Sequence, residues 1–237
     1  MARSRKSDDT LTKAPLMKRL ARWTLFVIVG GLVLAFMATL SLRLVGPWMT
    51  PYQIAESRRL GGIAQEWVPM ENIAPAMARS VVAAEDANFC RHWGLDVNAI
   101  RAALESGAAR GGSTISQQVV KNVFLWQGRS WVRKSIEAVW TPVTEAVWPK
   151  RRILELYLNE VEFAEGVFGV GAAAPHYFGV DAGDLTDTQA ARLAMVLPDP
   201  KDRNAANPTA RQRERTASIM DGAATIAADG RAACFED

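Results

Sequence analysis

The stretch Trp23–Leu42, "WTLFVIVGGLVLAFMATLSL", runs for 20 residues without a charge. A helix rises about 1.5 Å per residue, so this one would reach about 30 Å, the thickness of a bilayer's hydrocarbon core. Arg22 and Arg43 bracket it, and Trp23 and Trp48 stand where the two headgroup layers would lie. Residues 1–22 hold seven basic and two acidic residues, a net +5. The positive-inside rule places that tail in the cytoplasm and everything after the helix outside. A cleaved signal peptide is the competing reading. It would have a shorter apolar region and a small-residue cleavage site, and "RLVGPWMTP" is a poor one, so the uncleaved anchor is favoured. The expected organisation is a basic cytoplasmic tail (1–22), a transmembrane helix (23–42), a connector (43–60) and an exported domain (61–237).

The chain's formal charge of +3 therefore hides a body of about −2. A basic nucleic-acid binder is excluded, because the positive charge is confined to one end. With 49% hydrophobic and 22% charged residues, the body has the composition of a folded domain. Export also changes how Cys90 and Cys234 read. In an oxidising compartment a pair of cysteines points to a disulfide, and Cys234 lies in a polar tail, "GRAACFED", with little else to bury it. The alternative is two small buried apolar residues.

Beyond the connector, whose "GPWMTPYQIAESRRLGG" is punctuated by Pro and Gly, the periodicity is helical. "ENIAPAMARSVVAAEDANF" repeats apolar residues at Ile73, Met77, Val81 and Phe89. "DVNAIRAALESGAARGG" opens on an Asp cap and stops at glycines. Thr114 with Gln117 makes a capping box at the head of "STISQQVVKNVFLW". "SWVRKSIEAVWTPVTEAVW" is expected to be interrupted near Pro142, and "KRRILELYLNEVEF" continues as helix. A Gly-rich stretch, the helix of "GDLTDTQAARLAMVL" and a last amphipathic helix, "TARQRERTASIMDGAATIAADG", complete the chain. No long run of alternating β-branched residues occurs, so the domain is mainly α with short strands.

Two carboxylates stand out chemically. On a helix Glu85 would share an apolar face with Val81, Val82 and Phe89, and desolvation there would raise its pKa, as suits a general acid or base. A Glu at the helix's solvent boundary is the other reading. Asp86 would point about 100° away and accept structural hydrogen bonds. In "GGSTISQQVVKN" a helix start carries glycines and hydroxyls, which favours an anion. The cations Lys121, Arg129, Arg133 and Lys134 follow, interleaved with Phe124, Leu125, Trp126 and Trp131. Such a patch suits a phosphate on a lipid tail, unless the aromatics are core and some of the cations simply solvated. Glu137 lies four residues after Arg133 and three after Lys134, whose charges are expected to keep it ionised. Two carboxylates tuned apart are a pattern of glycosyl chemistry. His92 and His176 are too few and too isolated for a zinc site or a serine triad, and no Ser-x-x-Lys occurs.

The blocks "EDANFCRHWGLD", "GGSTISQQVVKN", "RKSIE", "KRRILELYLNEVEFAEGVFGVGAAAPHYFG" and "LAMVLPDP" resemble, in order, those of the family 51 glycosyltransferases. These are peptidoglycan polymerases that also occur as a domain of class A penicillin-binding proteins. The resemblance covers about residues 60–220, and with no transpeptidase domain before residue 237 the chain looks like the monofunctional form. It implies a lysozyme-like, mainly α, two-lobed domain with a glycan cleft and a smaller lobe partly embedded in the membrane. It also implies polymerisation of lipid II into a β-1,4 glycan with inversion and release of undecaprenyl pyrophosphate. Carried over, Glu85 is the general base and Glu137 the second carboxylate. Lys121, Arg129, Arg133 and Lys134 bind pyrophosphate. Ser113, Thr114, Gln117, Gln118 and Asn122 line the cleft. Asp86, Phe89, His92 and Gly94 hold the first motif in place. No cofactor is obligatory; a divalent cation (magnesium or manganese) at the pyrophosphate is left open. Expected partners are lipid II, the growing strand, membrane lipid and other cell-wall synthesis proteins. The location implied is the bacterial inner membrane, single-pass, with the catalytic domain periplasmic. Ser116 stands where Thr is common, and Arg152 and Glu165 depart from the family's usual residues. The cysteine pair is not part of the family's general pattern. A lysozyme-like lytic transglycosylase or hydrolase, and a non-catalytic glycan-binding protein, are the alternative readings.

Overall fold

A computed structural model describes residues 9–98, 101, 112–128 and 130–236, with side chains from Met17 onward. It divides into two units, residues 1–45 and 46–237. The first is dominated by one helix, α1 (Asp9–Leu42). This helix starts 14 residues before the apolar stretch, so the described part of the basic tail is helical rather than a separate element. Met17–Leu42 is long and apolar enough to cross a membrane. Trp23, Phe26, Val27 and Leu34 all stand well exposed, which only an apolar surrounding would make favourable.

The second unit is mainly α. Residues 43–60, expected to be a connector, contain a helix of this unit, α2 (Pro51–Leu60). Thr50 and Gln53 cap it reciprocally, and Gly61 closes it at φ +77°, a left-handed conformation open to Gly at no steric cost. Gln53 is fully buried and donates to Glu160, which integrates the segment into the fold. A small sheet follows in the order β1 (Ala64–Gln65), β3 (Val167–Phe168), β2 (Glu162–Ala164). β1 runs parallel and β2 antiparallel to β3.

Helix α3 (Pro75–Glu85) buries Met77, Val81 and Val82 against α8 (Asp187–Val196) and α9 (Ala210–Ala228). A second layer packs α4 (Ile115–Phe124) against α5 (Trp131–Val147) and α6 (Lys150–Glu160), and α7 (Gly169–Phe178) lies on α6. The short α10 (Ala233–Glu236) also packs on α6, so α9 is not the last helix. The Gly-rich stretch proves to be the helix α7.

Two further expectations are corrected. Helix α3 stops at Glu85, and Phe89 belongs to a separate 3₁₀ turn, Phe89–Arg91, so it does not continue Glu85's face. The stop arises at Asp86, whose backbone leaves the helix while its side chain is engaged elsewhere. Pro142 does not interrupt α5. Its missing N–H costs one bond, but the buried hydroxyls of Thr141 and Thr144 donate to the carbonyls of Glu137 and Thr141 around it and keep the turn closed. The helix expected from Asp96 lies mostly outside the described residues.

Candidate active site

The end of α3, the faces of α4 and α5, and the segment from Met195 to Arg215 enclose a cleft of about 1060 Å³. Its floor and walls bring together Glu85, Ser113, Gln118, Lys121, Arg133, Lys134 and Glu137. Residues from three separate sequence blocks thus converge on one space.

Glu85 is the last residue of α3 and stays partly accessible to the cleft. Gln118, one turn into α4, donates its Nε2 to Glu85 Oε2 at 2.9 Å. Burial pushes the Glu85 carboxyl above the usual range, opposed by the Gln118 bond and by the charges of Arg215, Lys121 and Arg203. A raised pKa in a cleft is the tuning expected of a group that takes and gives up a proton.

Glu137 is almost fully buried yet accepts from two cations. Arg133 Nη1 donates to Oε2 at 2.6 Å, and Lys134 Nζ donates to Oε1. Lys134 also reaches Ser113 Oγ at 2.8 Å, and Arg133 Nε bonds the carbonyl of Gly128 at 3.0 Å. Glu137 therefore fixes two cations at the cleft wall rather than standing alone. Lys121 makes no side-chain hydrogen bond to the described residues. Burial pushes its pKa down, opposed chiefly by Glu137, while Arg133 and Lys134 push it further down. A desolvated cation without a partner gains most from an incoming anion. Arg129 lies outside the described residues.

Asp86 Oδ1 meets His92 Nε2 at 2.8 Å, and Asp86 Oδ2 accepts the backbone N–H of Ile115 at 3.0 Å. Phe89 is fully buried, with Lys150 Nζ 4.4 Å from its ring centroid. Gly94 has φ +82°, and a Cβ there would come within 2.6 Å of Thr141 Cγ2. Thr114, Gln117 and Asn122 are not among the cleft's lining residues. Thr114 and Gln117 are buried and consumed by the α4 capping box, and Asn122 is buried and accepts from Gln127. Cys90 and Cys234 form a disulfide, with Cα atoms 5.7 Å apart.

Among the aromatics near the cations, Trp126 and Trp131 are exposed, whereas Leu125 is buried and Phe124 stacks on Trp148. Val132, Ile136 and Val139 extend the exposed apolar surface along one face of α5. The sequence reading missed the cleft's other wall, where Arg203, Arg211 and Arg215 add three cations. Arg203 Nη1 donates to the Met195 carbonyl at 2.8 Å and Arg215 Nη2 to the Ala84 carbonyl at 3.2 Å. The only local signal was the basic start of α9, "ARQRER". No group of three His, Cys, Asp or Glu residues that could hold a metal occurs among the described residues. Both Glu137 oxygens are already paired with cations, so these side chains do not form a metal site of their own.

A family model described as "Transglycosylase" matches residues 54–224. The chain is 56% identical over 234 residues to a biosynthetic peptidoglycan transglycosylase of Jannaschia sp. (strain CCS1), covering 98% of each chain. It is 42% identical over 223 residues to a protein of that name from Caulobacter vibrioides, covering 92% of this chain and 96% of the relative. A third of that name, from Stutzerimonas stutzeri, is 45% identical over 214 residues, 86% of this chain and 87% of its own.

Proposed function

The chain belongs to the transglycosylase family, and from that premise we propose that it is a peptidoglycan glycosyltransferase that polymerises lipid II in the cleft between α3, α4, α5 and the start of α9. Glu85 acts as general base on the acceptor's 4-hydroxyl. As the proton leaves, that oxygen attacks the donor's anomeric carbon from the face opposite the pyrophosphate. The α-linked undecaprenyl pyrophosphate departs and a β-1,4 bond forms, so the centre inverts. Lys121, Arg133 and Lys134 receive the charge that grows on the leaving pyrophosphate; Arg129 has the same role on sequence grounds. Glu137 keeps Arg133 and Lys134 aimed. Donor and acceptor each carry a pyrophosphate, and Arg203, Arg211 and Arg215 offer the second one a place on the opposite wall. With both carboxylates engaged by protein donors, no step is assigned to a metal.

The observation that carries this reading is a carboxyl pushed up by burial in the same cleft as a cluster of cations. A lytic enzyme or hydrolase would use a general acid but would have no need of that cluster, and a binding protein would need neither carboxylate. Helix α1 is read as a single-pass inner-membrane anchor with the N-terminus cytoplasmic and the domain periplasmic, where a disulfide persists. The exposed face of α5 would rest on membrane lipid near the lipid tails of the substrate, and other cell-wall synthesis proteins would act alongside. Purified protein incubated with lipid II tests the proposal. Glycan polymer from the wild type and none from Glu85→Gln is expected. Shortening of added glycan, or polymerisation by Glu85→Gln at the wild-type rate, would overturn it.

A further inference from the structure

The loop that follows Glu85 has little regular structure to hold it. Between Asp86 and His92 its backbone bonds are those of tight turns, Phe89 N–H to the Asp86 carbonyl and Arg91 N–H to the Asn88 carbonyl. Its freedom must be removed by tertiary links. On the cleft side Asp86 is tied to Ile115 and His92. Elsewhere Asn88 Nδ2 donates to Asp96 Oδ2 at 3.1 Å and Lys150 lies over the Phe89 ring, and a further set of links comes from the last eight described residues. Arg231 Nη1 donates to the Ala87 carbonyl at 3.1 Å, two residues from Glu85. Cys234 is bonded to Cys90 across 144 residues of sequence. Phe235, fully buried, lies against Phe89 with ring centroids 6.4 Å apart. The same segment is fastened to the body, because Glu236 pairs with Arg79 of α3 at 2.8 Å and the Phe235 carbonyl accepts from Arg151 of α6 at 3.2 Å.

We propose that the C-terminal segment Asp229–Glu236, locked by the Cys90–Cys234 disulfide, is a strap whose residues position the 86–92 loop and through it Glu85. The inference rests on the reading of Glu85 as the base. The strap touches neither the cleft nor the pyrophosphate cations, so its residues are positioning residues and not catalytic ones. Its loss should act on the chemical step and spare substrate binding. A displacement of about 1 Å at a catalytic group can cost about a hundredfold in rate, and a loop still pinned by Asp86 should lose less.

The test uses the full-length protein in detergent with lipid II as substrate, in three forms: oxidised wild type, wild type reduced by a dithiol, and Cys90→Ala/Cys234→Ala. Dithiol exchange leaves two protein thiols and a cyclic disulfide, and removing the dithiol under an oxidised thiol buffer re-forms the bond. Expected are a fall in kcat of about tenfold, a KM within about twofold of wild type, and recovery of the rate on reoxidation. Amide hydrogen exchange should quicken at Asp86, Phe89 and Arg91 while α4 and α6 stay protected. Unchanged kcat in the reduced and Ala forms overturns the proposal. So does a rate loss accompanied by faster exchange throughout α3, α4 and α6, since the disulfide would then serve the whole fold. Oxidised wild type that made no polymer would remove the reading of the site instead, and the exchange data would still decide whether the strap holds the loop.

Discussion

Replacing Gln118 by Leu should move the acid limb of the pH–rate profile and so identify the base. As the proposed base, Glu85 would work only when ionised, so kcat/KM should fall as pH drops through its pKa in the free enzyme. Burial already pushes that pKa up, and the Gln118 Nε2 donor at 2.9 Å is the largest influence holding it down. A hydrogen bond to a charged group is worth about 1.5–3 kcal/mol, and one pKa unit corresponds to about 1.4 kcal/mol. Cleft water can replace part of the lost bond, which favours the lower end, a shift of about one unit. Loss of a donor to the carboxylate favours the protonated form, so the limb must move to higher pH. Initial rates of glycan formation from lipid II, measured across pH for both proteins, supply the comparison. A limb that stays put while the plateau drops would mean that Gln118 acts on substrate and that the titrating base is another group. A limb that moves to lower pH would refute the electrostatic reasoning outright.

Arg133→Met leaves the buried Glu137 with Lys134 alone. Leaving a buried charge wholly unpaired costs about 3–5 kcal/mol, and with Lys134 still in place the loss should be smaller, which thermal unfolding should register together with loss of polymerisation. Gly94→Ala sets a Cβ 2.6 Å from Thr141 Cγ2 at φ +82°, and overpacking plus a strained backbone should cost at least about 2 kcal/mol by urea unfolding. Burial raises the pKa of Glu160 to about 8, with only the Gln53 bond opposing it. The folded state then keeps a proton that the unfolded chain releases in the ordinary Glu range. Its stability contribution is present at low pH and lost as pH rises toward about 8. Urea midpoints from pH 5 to 9 should fall for wild type relative to Glu160→Gln and level off above that pH.

What could be read from sequence was local. The capping box at Thr114 and Gln117 needs residues three apart, and the structure has it. The apolar surroundings of Glu85 were visible in Val81 and Val82, both buried, and the helix-spaced Arg133, Lys134 and Glu137 meet as their spacing required. What escaped depends on distant partners. Asp86 leaves α3 because the N–H of Ile115, 29 residues on, captures its side chain, and no periodicity carries that information. Helix α2 was hidden among Pro and Gly residues, and it is held by Gln53 against Glu160, 107 residues away. Arg211 and Arg215 stand in a segment whose sequence shows only an amphipathic helix. They line the cleft only because α9 packs against both α3 and α8.

Thr114 belongs to the frame around the cleft. Three successive residues at the head of α4 each hold a different part of the site. Thr114 Oγ1 donates to the Gly94 carbonyl at 2.5 Å, Ile115 N–H binds Asp86, and Ser116 Oγ donates to Glu145 at 2.5 Å. Glu145 in turn accepts from Lys150 at 2.8 Å, and Lys150 sits over Phe89. The first turn of α4 therefore fixes the loop after Glu85, helix α5 with its cations, and the start of α6 in one frame. Gln118 and Lys121 ride on that same helix one and two turns later. A buried ion pair such as Glu145–Lys150 contributes little net stability against well-packed apolar residues, so its value here lies in geometry. Under the proposed mechanism it holds Glu85 and the cations Lys121, Arg133 and Lys134 at a fixed separation before substrate arrives, so the transition state need not bear that reorganisation.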